Sequence, residues 1–370
     1  KYPLSLLFCN NCKLVQTDSV IDPDILFKDY RYISSIGLKD HFRDAANLLD
    51  KKYDVKGKKI LEIGCNDGVL LEPLVELGAI AEGVDPAENI TKIARSKGLK
   101  VHNTYFNYEN FNSKEFNSSY DLVLSNNAFA HIVDILEVVK GINFILKDEG
   151  HFVFEVHYLG PIIEENQWDS IYHEHIYYYS IASLKNLFES YGMTVIDFEE
   201  IPIHSGSIRV TVENRVLEVP EKIAKRVEIE NNSIANSEYL QEYNIKTVNH
   251  IQDFKSAIKD LKKDHIIAGY GASGRANMFC NLTDLDHDTV KYIVDESPER
   301  SGRYIANTNI PIVDPDMLND KEIDLLIIFA WNYSKMIMKK TSSMNVKYLI
   351  AFPFVQIVDK FEELKGFDSL

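Results

Sequence analysis

Short apolar runs at residues 60–63, 79–84, 120–124 and 150–156 alternate with mixed stretches of helical character. That rhythm of strand and helix predicts a parallel sheet with helices on both faces, in doubly wound order. Residues 183–191 read as an amphipathic helix closed by Gly192, and a further strand and loop follow over 201–210. From 221 to 264 the chain is polar and helical, with Ile245, Val248, Ile251, Phe254, Ile258 and Leu261 recurring at helical spacing, a stripe expected to pack in a core. The strand pattern then returns at 265–270, 290–295, 310–312, 325–329 and 348–350, so a second α/β unit begins near residue 265. Its first strand runs into Gly269-Tyr270-Gly271-Ala272-Ser273-Gly274, which opens a helix at Arg275.

The strand at 60–63 carries Glu62 and ends in Gly64-Cys65-Asn66-Asp67-Gly68. Glycine lets the backbone turn sharply after a strand and lets a cofactor approach where a side chain at Gly64 or Gly68 would collide with it. A dinucleotide turn wants three glycines, but here the middle one is Asn66 and an acid sits inside the motif. S-adenosylmethionine fits better: it has no phosphate, and its amine wants a carboxylate or carbonyl oxygens. The next strand ends in Asp85, where a carboxylate would take both ribose hydroxyls, and the strand at 120–124 runs into residues 125–131, whose Asn126 and Asn127 amides are placed for the adenine and the methionine end. Glu62, Gly64, Asn66, Gly68, Asp85, Asn126 and Asn127 are therefore the expected cofactor residues. The two glycine turns differ in spacing, so two different ligands are expected.

At 370 residues the chain should form about two domains, and its net charge of -16 argues against a nucleic-acid groove. No apolar stretch approaches the ~20 residues of a membrane span, and Lys1-Tyr2-Pro3-Leu4 does not start a signal sequence, so a cytoplasmic protein is expected, as a monomer or small homo-oligomer. The chain opens without methionine, as a trimmed chain or a piece of a longer product would. Cys9 and Cys12 form a knuckle that supplies half of a structural zinc site, and no second pair is present; Cys65 and Cys280 read as packing residues. A metal is therefore not expected, unless a further cysteine pair precedes Lys1.

Residues 168–180 are rich in His and Tyr. His173 and His175 stand two apart, which on an extended segment points both to one face, whereas a zinc protease needs its histidines four apart on a helix. Proton chemistry remains. The combination of Tyr30-Arg31-Tyr32-Ile33-Ser34-Ser35, the 61–68 turn, Tyr172-His173-Glu174-His175, His204-Ser205-Gly206-Ser207-Ile208-Arg209 and Gly269-Tyr270-Gly271-Ala272 resembles the nucleotide-sugar C-methyltransferases of branched-chain deoxysugar biosynthesis. The resemblance covers nearly the whole chain. It implies an N-terminal zinc-region remnant at 1–42, a class I S-adenosylmethionine-dependent methyltransferase domain of Rossmann-like α/β fold at 43–200, and a C-terminal Rossmann-like domain at 201–370 that holds a nucleotide-linked keto-deoxysugar.

By the same resemblance His204 is the base that removes the proton beside a 4-keto group, with Tyr32 and His175 near the ketone oxygen and Tyr172 and Glu174 in the catalytic set. Tyr30, Ser207 and Arg209, and in the second unit Tyr270, Gly271, Arg275, Trp331 and Asn332, are the implied substrate residues. The chain departs from the family at the missing first cysteine pair, at Ser205 where the family's loop reads His-Gly-Gly-Ser, and at Ile203 where some members carry an acid. Rival readings are an NAD-dependent sugar oxidoreductase using Asp295 for a ribose, an O- or N-methyltransferase, and a non-catalytic binding protein.

Overall fold

The computed structural model describes residues 3–28, 30, 33–320 and 322–365. A hairpin of β1 (Leu6–Phe8) and β2 (Val15–Thr17) comes first, with Cys9 and Cys12 at its turn and the Cys12 amide donating to the Cys9 Sγ at 3.5 Å. The helix Ser35–Tyr53 then leads into β3 (Lys59–Ile63), β4 (Ile80–Val84), β5 (Lys100–His102), β6 (Tyr120–Asn126) and β7 (Leu146–His157). These pair in parallel in the order β5-β4-β3-β6-β7. After the short β8 (Tyr177–Tyr178), which joins the hairpin, β9 (Thr194–Ile201) and β10 (Ser207–Glu213) complete the main sheet. β10 lies between β7 and β9, antiparallel to both, and is the reversed strand of the seven. Order reverses between β4-β3 and β6, so a crevice opens beyond the carboxyl ends of β3 and β6, where sheets of this kind hold their ligands.

The chain divides into two compact units, Lys1–Leu159 with His173–Ser237, and Gly160–Tyr172 with Glu238–Leu370. The boundary expected at 200/201 is thus displaced to 237/238. The reason is β10: its residues are buried along nearly their whole length because both neighbours are strands of the first sheet, so that core is incomplete without residues beyond 200. Residues 160–172, read as part of the methyltransferase domain, instead pack in the second unit around Trp168 and Asp169, which are 2% and 1% exposed.

The second unit carries β11 (Ile267–Tyr270), β12 (Ile293–Val294), β13 (Ile312–Val313), β14 (Leu325–Ile328), β15 (Lys347–Ile350) and β16 (Gln356–Val358). Their order is β13-β12-β11-β14-β15-β16, parallel except for β16 at the edge. The helix Ser237–Leu261 buries Tyr243, His250, Phe254 and Ile258. Ile245 and Val248, assigned to a buried stripe, are 60% and 50% exposed. The buried line runs through 243, 250, 254 and 258, and residues 245 and 248 fall off that face of a 3.6-residue turn. Among the described residues no helix is long and apolar enough to cross a membrane.

Candidate active site

The turn after β3 is held by its own acids. Asp85, at the end of β4, accepts the Asn66 amide at 3.0 Å and the Ala87 amide at 2.9 Å, and the Asn66 side chain in turn accepts the Asp67 amide at 2.9 Å and the Ser34 amide at 3.0 Å. Gly64 and Gly68 have φ of +73° and +78°, and a Cβ built on them would come within 2.4 Å of the Ala128 Cβ and 2.3 Å of the Leu99 Cδ1. The glycines are therefore required by left-handed backbone and by the chain's own packing.

Glu62, Asp67 and Asp85 are 3%, 1% and 8% exposed. Burial, then the charges of Asp85 and Asp67, push the Glu62 carboxyl well above the usual carboxylate range, against a hydrogen bond from Asn126. Burial also raises Asp85, opposed by its two backbone donors. Glu62 Oε2 and Asn127 Nδ2 are buried with no hydrogen-bond partner among the described residues. Three acids crowded into one buried crevice, one with an unmet acceptor, fit a cationic ligand and repel an anionic one. Tyr30 sits by the rim, its carbonyl accepting the Asn89 side chain at 2.7 Å. Tyr32 lies outside the described residues.

Beside this crevice the fold collects four histidines from four segments. His131 ends the 3-10 turn Phe129–His131, His157 ends β7, His175 follows a turn at 173–174, and His204 belongs to the 3-10 turn Ile203–Ser205. Ring centroids are 4.8 Å apart for His131–His175, 4.7 Å for His157–His175 and 5.5 Å for His157–His204. His131 Nδ1 donates to the Glu174 carbonyl at 2.7 Å, and burial pulls its proton affinity down against the pull of Glu174. His204, Ser205 and Gly206 all have positive φ, of 53°, 68° and 116°, a run of left-handed backbone that only a constrained site sustains. Ser207 closes this loop, its hydroxyl donating to the Ile203 carbonyl at 3.1 Å.

Several expectations change. Because the chain turns at 173–174 instead of running extended, His173 and His175 part: His173 Nε2 lies 3.0 Å from the Pro3 carbonyl, while His175 enters the cluster. Glu174 touches the cluster through its carbonyl. Arg209, expected on substrate, spans the buried Glu155 at 2.9 and 2.6 Å, and His41 meets the other Glu155 oxygen at 2.8 Å. Burial pushes the Glu155 carboxyl up, and His41 with Arg209 more than offset it, leaving it below its usual value.

Tyr172 belongs to the second unit, its ring 3.7 Å from where a Gly274 side chain would begin. There Arg275 and Trp331, expected to flank a nucleotide, both bind Asp169: the guanidinium at 2.9 and 3.0 Å, the indole Nε1 at 2.9 Å. Trp331 is 4% exposed, so it offers no open face, and Asn332 beside it is half-buried. Tyr270 donates to Glu296 at 2.8 Å.

The second glycine turn repeats the logic of the first. Gly271 has φ +92° with Ala330 in the place of Ala128, and Asp295 accepts the Ala272 and Ser297 amides at 2.7 and 2.9 Å. It differs in that Arg300 also reaches Asp295, at 3.1 Å. An acid so committed is a poor ribose ligand for the NAD reading. Sequence reasoning missed His157, Glu155 and His41; the first two could have been found by asking which polar residues end the predicted strand at 150–156, since carboxyl ends of strands line the crevice.

Charge decides the class of protein. Buried acids that would expel a pyrophosphate favour the ammonium and sulfonium of S-adenosylmethionine, and the first unit is a class I S-adenosylmethionine-dependent methyltransferase. A methyltransferase domain model matches residues 38–197, and a C-methyltransferase C-terminal domain model matches 202–353. C-methyltransferase NovU of Streptomyces niveus is 30% identical over 343 residues, 90% of this chain and 81% of that protein. The chain belongs to the C-methyltransferase family. Ubiquinone biosynthesis O-methyltransferase of Vibrio campbellii is 30% identical over 110 residues, 29% of this chain and 47% of the relative. Among solved structures, magnesium protoporphyrin IX methyltransferase from Synechocystis with S-adenosylmethionine bound is 13% identical and covers 48% of this chain and 80% of its own, with a TM-score of 0.38. An S-adenosylmethionine-dependent methyltransferase from Mesorhizobium loti is 16% identical, covering 47% of this chain and 99% of its own, with a TM-score of 0.39.

Proposed function

We propose that the protein C-methylates a nucleotide-linked 4-keto-deoxysugar at the carbon next to the ketone, through a base-generated enolate. The observation that supports this is the group of four histidines beside the cofactor turn, because carbon acidity next to a ketone calls for a base of near-neutral proton affinity. S-adenosylmethionine, when bound, supplies an electrophilic methyl group. Glu62 and Asp85 hold its cationic and ribose ends, and Asn126 and Asn127 face the rest. His204 takes the proton, and His175 donates to the ketone oxygen as charge builds there, a contribution of a few kcal/mol for a well-placed donor. His131, fixed by the Glu174 carbonyl, holds the ring of His175 in place. The buried aromatic residues Tyr178 and Tyr179 keep water from the enolate.

The test is to incubate the protein with S-adenosylmethionine and a panel of nucleotide-linked 4-keto-deoxysugars in deuterated water, following mass and proton exchange. One methyl gained, with exchange beside the ketone abolished in His204→Asn and only slowed in His175→Asn, is the expected result. Exchange abolished in His175→Asn but kept in His204→Asn would exchange the two roles. Cofactor binding with no exchange on any sugar would redirect the search to O- or N-acceptors.

A further inference from the structure

We propose that Tyr158 and Glu230 are positioning residues that hold the His204 loop in its left-handed form. Their consequence for the reaction rests on reading His204 as the base. The loop joins β9 to β10, and His204, Ser205 and Gly206 all have positive φ, a conformation that costs free energy and persists only where the surroundings over-determine it. The β7–β10 ladder ends at the pair His157 and Ser207. Beyond it the Tyr158 amide donates to the Gly206 carbonyl at 3.3 Å, one further and longer rung. A terminal rung frays first unless something outside the ladder secures it.

The helix Glu221–Asn231 does so. Its Lys222, Arg226 and Glu230 recur every four residues and share one face. Lys222 bonds Asp197 at 2.7 Å and Arg226 pairs with Glu200, both on β9, the strand that leads into the loop. Those two pairs are partly exposed and hold weakly. Glu230 and Tyr158 are both buried, and the Tyr158 hydroxyl donates to Glu230 Oε1 at 2.7 Å while accepting from Arg226 at 3.2 Å. Tyr158 is thus fixed at the tip of its ring, with its amide on the loop. The same carboxylate accepts the Ile181 and Ala182 amides at 3.1 and 2.7 Å, where the segment that bears His175 passes into the helix Ile181–Glu189. One buried carboxylate therefore secures the loop of His204 and the end of the segment of His175. All of these residues lie in the first unit. A loosened loop would let the base stray from the substrate carbon, which slows proton removal without touching the cofactor turn.

The test uses the whole chain and the variant Tyr158→Phe, which keeps the ring and removes the hydroxyl. In NMR hydrogen exchange without substrate, the amide at position 158 is expected to exchange about tenfold faster than in the wild-type protein, the factor that one hydrogen bond is worth. Proton exchange beside the ketone and kcat for methyl transfer should fall by a similar factor, with the KM for S-adenosylmethionine unchanged. Glu230→Gln should act in the same direction. Ile223→Ala, which truncates a buried apolar residue of the same helix, is the comparison: it should lower the melting temperature more than Tyr158→Phe and leave the position-158 amide and kcat near their wild-type values. A merely structural role would make the loss of rate follow the loss of stability across these variants, and that order would overturn the proposal. So would an amide at position 158 that exchanges unprotected in the wild-type protein, a measurement that does not depend on any variant folding. If that amide is loosened in Tyr158→Phe while methyl transfer is unimpaired, or if no sugar is methylated at all, the hold on the loop stands and the reading of His204 or of the substrate fails.

Discussion

Glu62, one residue before the end of β3, has its carboxyl raised by burial and by Asp85 and Asp67 above the ordinary glutamate value of about 4.3. A cationic cofactor favours the ionised form. Binding should therefore release protons, and affinity should weaken as pH falls through the raised value. Calorimetry across a series of pH values in two buffers of different ionisation enthalpy checks this, and equal heats at every pH would sink it. Glu62→Gln should weaken S-adenosylmethionine by about 10- to 100-fold, near the 1.5–3 kcal/mol of a hydrogen bond to a charged group. Glycine offers a second comparison. Gly64 and Gly57 share a left-handed φ, +73° and +74°, but only Gly64 faces a close neighbour; nothing lies within 4 Å of a Cβ on Gly57. Gly57→Ala should lose about 1–2 kcal/mol of stability to backbone strain, and Gly64→Ala clearly more, with cofactor binding impaired as Ala128 and its loop are displaced. Similar melting temperatures for the two variants would show that the packing argument is wrong.

Among the elements, the helix Ser237–Leu261 carries a pH-sensitive joint. His250 Nε2 donates to the Ala351 carbonyl at 2.7 Å, which leaves Nδ1 to accept the Trp168 indole at 2.8 Å. That arrangement requires neutral imidazole, and burial pulls its proton affinity below the ordinary value, against the Ala351 carbonyl. The unfolded chain then binds the extra proton first, so stability is complete above about pH 6.5 and declines as pH falls below it. Both tryptophans of the chain, Trp168 and Trp331, lie in the second unit, so their emission follows that unit alone. Denaturant midpoints read by tryptophan fluorescence should drop between about pH 7 and pH 5.5, and His250→Gln should flatten the dependence. A midpoint independent of pH in the wild-type protein would contradict the assigned tautomer.

At the scale of the molecule, Asp169 holds residues 160–172 in the second unit through Arg275 and Trp331, although the chain enters and leaves this segment from the first. Asp169→Ala removes the carboxylate that the Arg275 guanidinium and the Trp331 indole N–H share, and should destabilise the second unit by about 3–5 kcal/mol with a red shift of tryptophan emission. S-adenosylmethionine binding, proposed for residues of the first unit, should persist; its loss would contradict that proposal. The sequence by itself determined the sheet rhythm, the glycine turn after β3 with Glu62 and Asp85 at its strand ends, and the departure from a dinucleotide motif. Those features are legible locally, because strand periodicity and a left-handed turn at Gly64 and Gly68 show in residues adjacent in the chain. Only the tertiary structure decided that His157 joins His131, His175 and His204, that Arg209 and Arg275 are committed to Glu155 and Asp169, and that β10 belongs to the first sheet. Each of these depends on which strands become neighbours and on where the chain passes between units, and no local periodicity encodes the meeting of side chains tens of residues apart.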